Sequence, residues 1–209
     1  LPAAWLSATT CLGPTCCSNA CMNVDPCVMV IFGASGDLTH RKLVPALYEM
    51  FCRGMLPASG CILGVSRTRK TDEQWREELL PWVREHAHGF DPGSWSEFSR
   101  RLHYHAADAT RPESFPALSD RIRSLDADHH GGGNILFFLS VAPSLYQPIV
   151  ECVQGSGLVT EGRRWCSLDP EHRSWQRIVV EKPFGRDDRS AAELNRVLGR
   201  AFEEESIYR

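Results

Sequence analysis

Short apolar runs alternate with longer segments of helical periodicity from residue 28 onward. This order is typical of a parallel sheet whose strands are joined by crossover helices. The fourth run is almost entirely apolar, which predicts a central strand covered on both faces. The pattern therefore predicts an α/β fold of the Rossmann type, a doubly wound parallel sheet with helices on both faces. The predicted strands cover residues 28–32, 61–66, 102–106, 134–141 and 177–181.

Capping signals place the helices between these strands. The first helix is predicted over about residues 37–53, with a kink at Pro45 and Gly54 as its C-terminal cap. The spacings Thr71-x-x-Gln74 and Thr110-x-x-Glu113 each match a capping box, which predicts a helix start at both places.

Composition limits the classes of partner. The 209 residues carry 23 Lys and Arg against 26 Asp and Glu, a net charge of -3. That balance provides no positive field, so neither a nucleic acid nor a membrane surface is expected as a partner. No run of 18 apolar residues is present, so no transmembrane helix is predicted.

Cysteines and histidines raise the question of a metal. The cysteines crowd towards the start of the chain, and one alternative is a zinc site there. The spacing lacks paired Cys-x-x-Cys units, and the odd total of nine cysteines favours free thiols. His103 and His105 alternate along one strand face, which indicates a half-exposed sheet edge. No metal site is therefore predicted. The early cysteines are Cys11, Cys16, Cys17, Cys21 and Cys27.

A glycine turn follows the first strand directly. Gly33-Ala34-Ser35-Gly36-Asp37-Leu38 separates that strand from the first helix. Glycines allow a pyrophosphate to approach main-chain N–H groups, and the helix that follows presents the positive end of its dipole. The turn therefore indicates a dinucleotide site, with a ligand-free strand-to-helix turn as the alternative. A P-loop is excluded because no Gly-x-x-x-x-Gly-Lys-Ser/Thr is present.

Ligands of open α/β sheets lie beyond the carboxyl ends of the strands, so residues just after each strand are candidates. After the second strand, Ser66-Arg67-Thr68-Arg69 supplies cations and no carboxylate, which favours the 2′-phosphate of NADP over NAD. Tyr146 follows the fourth strand and either lines the cofactor or packs on its helix face. Lys182 follows the fifth strand and is the best candidate for chemistry, with an exposed lysine of no function as the alternative. Pro183 is a candidate for a cis bond, although most X-Pro bonds are trans.

Four segments together resemble the glucose-6-phosphate dehydrogenase family in order and spacing. They are Gly-Ala-Ser-Gly-Asp-Leu-Thr-x-Arg-Lys from Gly33, Ser-Arg-Thr-Arg from Ser66, Glu-Lys-Pro-Phe-Gly from Glu181, and Glu-Ser-Ile-Tyr-Arg at the end. The resemblance covers residues 27–209 and implies an NADP-binding Rossmann-type domain there. Residues 1–26, of which the first 24 carry no charge, are expected to be a disordered or extraneous extension.

The resemblance also implies roles for individual residues. Arg67 would hold the 2′-phosphate, Tyr146 would line the nicotinamide side, and Lys182 would contact both nicotinamide and glucose 6-phosphate. In the family's reaction, hydride passes from C1 of the sugar to NADP and a lactone forms, within the pentose phosphate pathway. Residues expected to hold the NADP pyrophosphate are Gly33, Ala34, Ser35, Gly36, Asp37, Leu38, Thr39 and His40.

The sequence differs from the family pattern at two places near the predicted cofactor site. His40 stands where a lysine is frequent, and the loop over residues 155–175 looks long. In the family, the histidine and lysine that bind the sugar phosphate follow directly after Ile-Tyr-Arg, and the general-base histidine lies further on, in a substrate and dimerisation domain; all of these are expected to be absent from this chain. This chain by itself is therefore expected to lack turnover.

The resemblance implies a setting for the full-length protein as well. A homodimer or homotetramer is expected, in the cytoplasm, with a plastid form as an alternative. Two further readings stay open, namely a relative of hexose-6-phosphate dehydrogenase and a non-catalytic NADP-binding protein.

Overall fold

A computed structural model describes residues 24–159, 174–184 and 187–209. The extension predicted for residues 1–26 lies outside the described residues up to residue 23. Most of the long loop predicted over residues 155–175 also lies outside them, from residue 160 to residue 173.

Six parallel strands form one sheet in the order β3-β2-β1-β4-β5-β6. This order confirms the Rossmann-type fold, because the chain reverses direction across the sheet between β1 and β4. All five predicted strands are present, although β4 is shorter at both ends and β5 is shifted by one residue. The sixth strand was not predicted, since two residues are too short to show a pattern. The strands are β1 (Val28–Phe32), β2 (Cys61–Ser66), β3 (Leu102–Ala106), β4 (Ile135–Leu139), β5 (Gln176–Val180) and β6 (Ile207–Tyr208).

Helices cover the two faces of the sheet unequally. Three helices pack on one face along its length, and the other three cover the opposite face over β1, β2 and β3. The first group is α4 (Phe115–His129), α5 (Tyr146–Gly155) and α6 (Asp188–Ala201); the second is α1 (Val44–Cys52), α2 (Asp72–His86) and α3 (Pro92–Ser99). No helix of the described residues is both long and apolar enough to cross a membrane.

One face of β4 differs from the prediction that the strand is covered on both sides. Ile135, Phe137 and Leu139 are buried, whereas the alternate residues Leu136 and Phe138 are half-buried. Leu136 and Val179 line an open apolar groove of about 570 Å³ on that face. Leu47 and Met50 of α1 line the same groove.

The first helix is interrupted near Pro45, as its sequence predicts. Thr39–Leu43 form a π-helical turn, in which the Val44 N–H bonds to Thr39 O, and α1 follows directly. Helical backbone runs without a break from Asp37 into α1, so Pro45, which has no N–H, cannot bond to the carbonyl four residues before it; this fits the wider turn that precedes it. Gly54 follows the helix end with φ +66°, which confirms its capping role.

Of the two predicted capping boxes, only the first is present. Thr71 and Gln74 bond each other's backbone N–H at the start of α2. No capping box forms at Thr110, because Asp108 Oδ1 accepts from both the hydroxyl and the N–H of Thr110. The helix start predicted there is present, since a 3-10 turn over Pro112–Ser114 leads directly into α4.

Candidate functional site

The glycine turn lies against the carboxyl ends of its two neighbouring strands. Gly33 has φ +94°, and a Cβ at this position would lie 2.0 Å from the backbone oxygen of Ser140, just after β4. The N–H groups of Gly33 and Ala34 both donate to Val65 O on β2, at 3.0 and 3.1 Å. Gly36 donates to Gly33 O at 2.9 Å and closes the turn. The backbone therefore fits only glycine at position 33.

The side chain of Thr39 contacts this turn on its buried side. It is fully buried, and its Oγ1 lies 3.0 Å from Gly33 O and 3.0 Å from Ser140 Oγ. Because the hydroxyl is surrounded by these protein partners, Thr39 connects the turn to the end of β4. Its expected contact with the cofactor stays a prediction.

The other residues of the turn divide between core and surface. Ala34 is buried, and its oxygen accepts from Trp75 Nε1 at 3.2 Å. Asp37 is exposed and pairs with Arg41 across one helical turn at 3.5 Å. Leu38 is an exposed apolar side chain at the helix start. Asp37 and Leu38 therefore lie on the side of the helix that a ligand can reach.

Sequence reasoning missed Lys70, which lies beside the turn. Its Nζ donates to Ser35 Oγ at 3.3 Å and forms an ion pair with Glu78. Ser35 Oγ in turn lies 2.8 Å from Ser66 Oγ, which bonds the hydroxyl of Tyr104 at 2.7 Å. The only sign of Lys70 in the sequence was a cation four residues after Ser66. Its role could not be read from that position, because it depends on α2 bringing Glu78 next to it.

His40 is buried beside the same carboxylate. Its Nε2 lies 3.4 Å from Glu78 Oε1 without hydrogen-bond geometry, and its ring stacks on Trp82. Burial lowers the pKa of His40, opposed by the nearby charge of Glu78. The ring is therefore neutral near pH 7. An incompletely satisfied nitrogen beside a glycine turn fits a site that receives an anionic ligand.

Arg67 lies exposed directly after β2, with no carboxylate among the next three residues. Asp108, after β3, is near enough for the Arg67 charge to contribute to lowering its pKa, although hydrogen bonds from Thr110 are the main cause. Asp108 also forms an ion pair with Arg111 at 3.5 Å, so Arg111 already balances the charge of its carboxylate. The guanidinium of Arg67 therefore remains available to a phosphate.

Lys182 is exposed immediately beyond β5, and the Lys182–Pro183 peptide bond is cis. Tyr146 is buried, and its hydroxyl donates to Glu181 O at 3.1 Å. Burial raises the pKa of this phenol. The Tyr146 side chain packs in the core, and its hydroxyl holds the residue before Lys182. A cofactor contact for Tyr146 stays a prediction.

The strand register brings the candidates to one edge. Phe32 on β1 is level with Val65 on β2 and with Leu139 on β4, and Leu139 is level with Val180 on β5. The glycine turn, the Arg67 segment and the Lys182 segment therefore leave the sheet side by side. This edge, at the point where the strand order reverses, is where open α/β sheets bind dinucleotides.

Comparison with known proteins agrees with this geometry. Residues 30–209 match the family model described as "Glucose-6-phosphate dehydrogenase, NAD binding domain". The chain is 36% identical to glucose-6-phosphate 1-dehydrogenase of Chlamydia muridarum over 95% of its own length and 37% of that protein. It is 37% identical to the enzyme of Aggregatibacter actinomycetemcomitans over 90% of its own length and 36% of that protein. The chain thus spans little more than a third of these relatives.

Solved structures agree as well. A glucose-6-phosphate dehydrogenase in complex with its substrate glucose-6-phosphate superposes with a TM-score of 0.72 and 30% identity, over 88% of this chain and 36% of that one. The enzyme from Mycobacterium avium gives a TM-score of 0.69 and 29% identity, over 87% and 35%. With the family model matching residues 30–209, the chain belongs to the glucose-6-phosphate dehydrogenase family, and its matched part is the nucleotide-binding domain.

Proposed function

We propose that this chain is the coenzyme-binding part of an NADP-dependent glucose-6-phosphate 1-dehydrogenase. The full-length protein would oxidise D-glucose 6-phosphate to 6-phosphoglucono-1,5-lactone. The observation that carries the proposal is the glycine turn packed against Ser140 where the strand order reverses, with Arg67 exposed at the end of the adjacent strand.

The preference for NADP is supported by charge. An NAD site places a carboxylate after the second strand for the ribose 2′-hydroxyl, and this chain has Arg67 and Arg69 there. A guanidinium binds a phosphate through two parallel N–H donors, so the 2′-phosphate would gain a charge-assisted contact that NAD lacks. Lys70 beside Ser35 adds a second cation on the pyrophosphate side of the site.

Lys182 is the residue we assign to the substrate side. Its ammonium leaves the edge of the sheet at the end of β5, where the sugar would meet the nicotinamide. When bound, the nicotinamide accepts the hydride from C1. Lys182 would orient the sugar by donating hydrogen bonds, and Tyr146 would hold the backbone just before it. A base for the alcohol proton is not among the residues assigned here, so we expect this chain alone to bind dinucleotide without turnover.

The proposal extends to assembly and location. By family resemblance, the full-length protein would be a cytoplasmic homodimer or homotetramer. Sedimentation analysis of the full-length protein together with cell fractionation would test both statements.

Calorimetric titration of the purified chain with NADP and with NAD tests the proposed cofactor. We expect NADP to bind at least about tenfold more tightly, a difference of about 1.4 kcal/mol. Arg67→Ala should remove that preference and leave NAD binding unchanged. Arg53→Ala is the matched control, because Arg53, just after α1, is also exposed but pairs with Glu49 within that helix.

Equal affinity for the two dinucleotides, or an Arg67→Ala chain that still prefers NADP, would refute the assignment of Arg67. Absence of binding by a chain that circular dichroism shows to be folded would refute the dinucleotide site itself. Reduction of NADP by the full-length protein, dependent on glucose 6-phosphate, tests the substrate separately.

A further inference from the structure

A second group of chemically reactive side chains lies at the opposite end of the sheet. Cys61 is the first residue of β2, His103 lies near the start of β3, and His129 is the last residue of α4. One donor atom from each lies within 4.8 Å of the other two. The two histidine Nε2 atoms are 2.9 Å apart. These residues are 26 or more positions apart in sequence, so the fold alone brings them together.

Rigid backbone holds the three residues in place. The N–H of Gly60, just before Cys61, donates to His129 O at 2.9 Å, which connects β2 to the end of α4. On the neighbouring strand, Leu63 and His103 are paired in register. Cys61 is buried, and the two imidazoles are half-buried. The donors therefore sit on a strand start, a strand and a helix end, and no loop must fold to assemble them.

A carboxylate orients one of the imidazoles. Asp72 Oδ2 lies 3.0 Å from His103 Nδ1, and Asp72 Oδ1 accepts the Tyr104 N–H at 2.7 Å. Arg121 also pairs with Asp72 Oδ2, at 3.1 Å, so the carboxylate is surrounded by donors. An ionised Asp72 accepts the proton on Nδ1 and leaves His103 Nε2 with its lone pair towards the cluster. Metal-binding histidines are typically oriented by such an outer carboxylate.

We propose that Cys61 Sγ, His103 Nε2 and His129 Nε2 bind a divalent cation of the zinc class, with Asp72 as the outer partner of His103. One sulfur and two imidazole nitrogens select Zn²⁺ or similar borderline-soft ions over Mg²⁺ and Ca²⁺, which need oxygen ligands. Tetrahedral zinc with bonds of about 2.0–2.3 Å separates its ligand atoms by roughly 3.3–3.6 Å. The Nε2 atoms would move apart by a few tenths of an ångström. Water would supply the fourth ligand.

Binding at this place joins β2, β3 and α4 at the edge of the sheet remote from the glycine turn. The cation would displace the thiol proton of Cys61, and the proton between the two Nε2 atoms would move to His129 Nδ1, so binding releases one proton. Its effect on the protein is stabilisation, because a ligand that binds only the folded chain shifts the unfolding equilibrium. The inference does not depend on which dinucleotide or sugar the chain binds.

The test uses the full 209-residue chain with the four thiols of the first 21 residues replaced (Cys11→Ser, Cys16→Ser, Cys17→Ser and Cys21→Ser), so that the cluster is measured alone. The probes are Zn²⁺, titrated against a competing chelator, and Co²⁺, followed by absorption. We expect one equivalent to bind, with a thiolate-to-cobalt charge-transfer band and a raised melting temperature. Cys61→Ser should abolish the band. Asp72→Asn should weaken Zn²⁺ binding by about 10–100-fold.

Matched controls lie next to the cluster. Cys27→Ser removes a second partly buried thiol near Cys61, and His130→Asn removes the imidazole after His129 while tolerating its left-handed backbone of φ 54°. Both should bind Zn²⁺ like the parent chain. The proposal is overturned if the parent chain, folded by circular dichroism, shows no saturable Zn²⁺ site. It is equally overturned if folded Cys61→Ser and Cys61→Ala chains keep the parent affinity and the cobalt band.

Discussion

The backbone oxygen of Ser140 lies 2.0 Å from the position that a Cβ on Gly33 would take. No side-chain rotation relieves this contact, because both groups belong to the backbone. The closeness follows from the register, which brings the ends of β1 and β4 level. The glycine turn is therefore also the point at which the two halves of the sheet meet.

Gly33→Ala is expected to destabilise the chain by about 3–5 kcal/mol, since it combines a positive φ with a backbone clash. Gly54→Ala is the matched control, because Gly54 also has a positive φ but has no atom within 4 Å of the added Cβ. It should cost only about 1–2 kcal/mol. Urea unfolding of both variants measures the difference, and equal losses would show that the approach of Ser140 is unimportant.

Tyr146→Phe tests whether the hydroxyl acts on the backbone or on the cofactor. Removing it leaves Glu181 O without its donor, so we expect a loss of about 1–3 kcal/mol in the free energy of unfolding. NADP affinity should change less than twofold. The control Tyr208→Phe removes an exposed hydroxyl and should change stability by less than about 0.5 kcal/mol. Unchanged stability with weakened NADP binding would favour a direct cofactor contact.

We expect substitutions of Lys70 and Arg67 to differ in which dinucleotide they weaken. Lys70 contacts Ser35 in the turn, where both dinucleotides carry a pyrophosphate, so Lys70→Met is expected to weaken NADP and NAD about tenfold alike. Arg67→Ala should weaken NADP alone. Glu78→Gln frees the Lys70 ammonium from its ion pair and should strengthen both dinucleotides. Calorimetry on the three variants measures this, and an NADP-selective effect of Lys70→Met would place Lys70 at the 2′-phosphate instead.

The sequence predicts those features of the fold that depend on local pattern. Strand β2 and the Thr71 capping box are read from residues close together along the chain, and both are confirmed. The second capping box failed because Asp108, two residues before Thr110, takes up its hydroxyl first. Strand β6 escaped prediction since its two residues depend on pairing with β5.

Features built by tertiary contact could not be predicted in this way. The interpretation of His103 as part of a half-exposed edge used only the neighbouring strand residues. His129 contacts His103 because α4 ends beside β2. The spacing of residues along the sequence does not indicate this contact. Lys70 was missed for the same reason, since its role depends on Glu78 from α2 and Ser35 from the turn.

The buried His40 ring is expected to make the chain less stable in acid. Burial is the main cause that lowers the pKa of His40 below its usual 6.5, so the folded chain resists a proton that the unfolded chain accepts. Stability is therefore fully present above about pH 6.5 and falls as the pH drops towards the lower pKa of the folded state. His103, His105 and His129 have pKa values lowered in the same direction, so one variant should remove only part of the effect.

Urea unfolding of His40→Gln between pH 7 and pH 5 isolates that part. The variant should lose less stability over this interval than the parent chain, because glutamine has no proton to gain. His88→Gln is the control at an exposed position and should follow the parent curve. If His40→Gln and the parent chain lose stability equally on acidification, the charge of Glu78 offsets burial, and the pKa of His40 is the same in the folded and unfolded chains. If the parent chain loses less stability than His40→Gln, the charge of Glu78 outweighs burial and raises the pKa of His40, which would favour a protonated ring beside a bound phosphate.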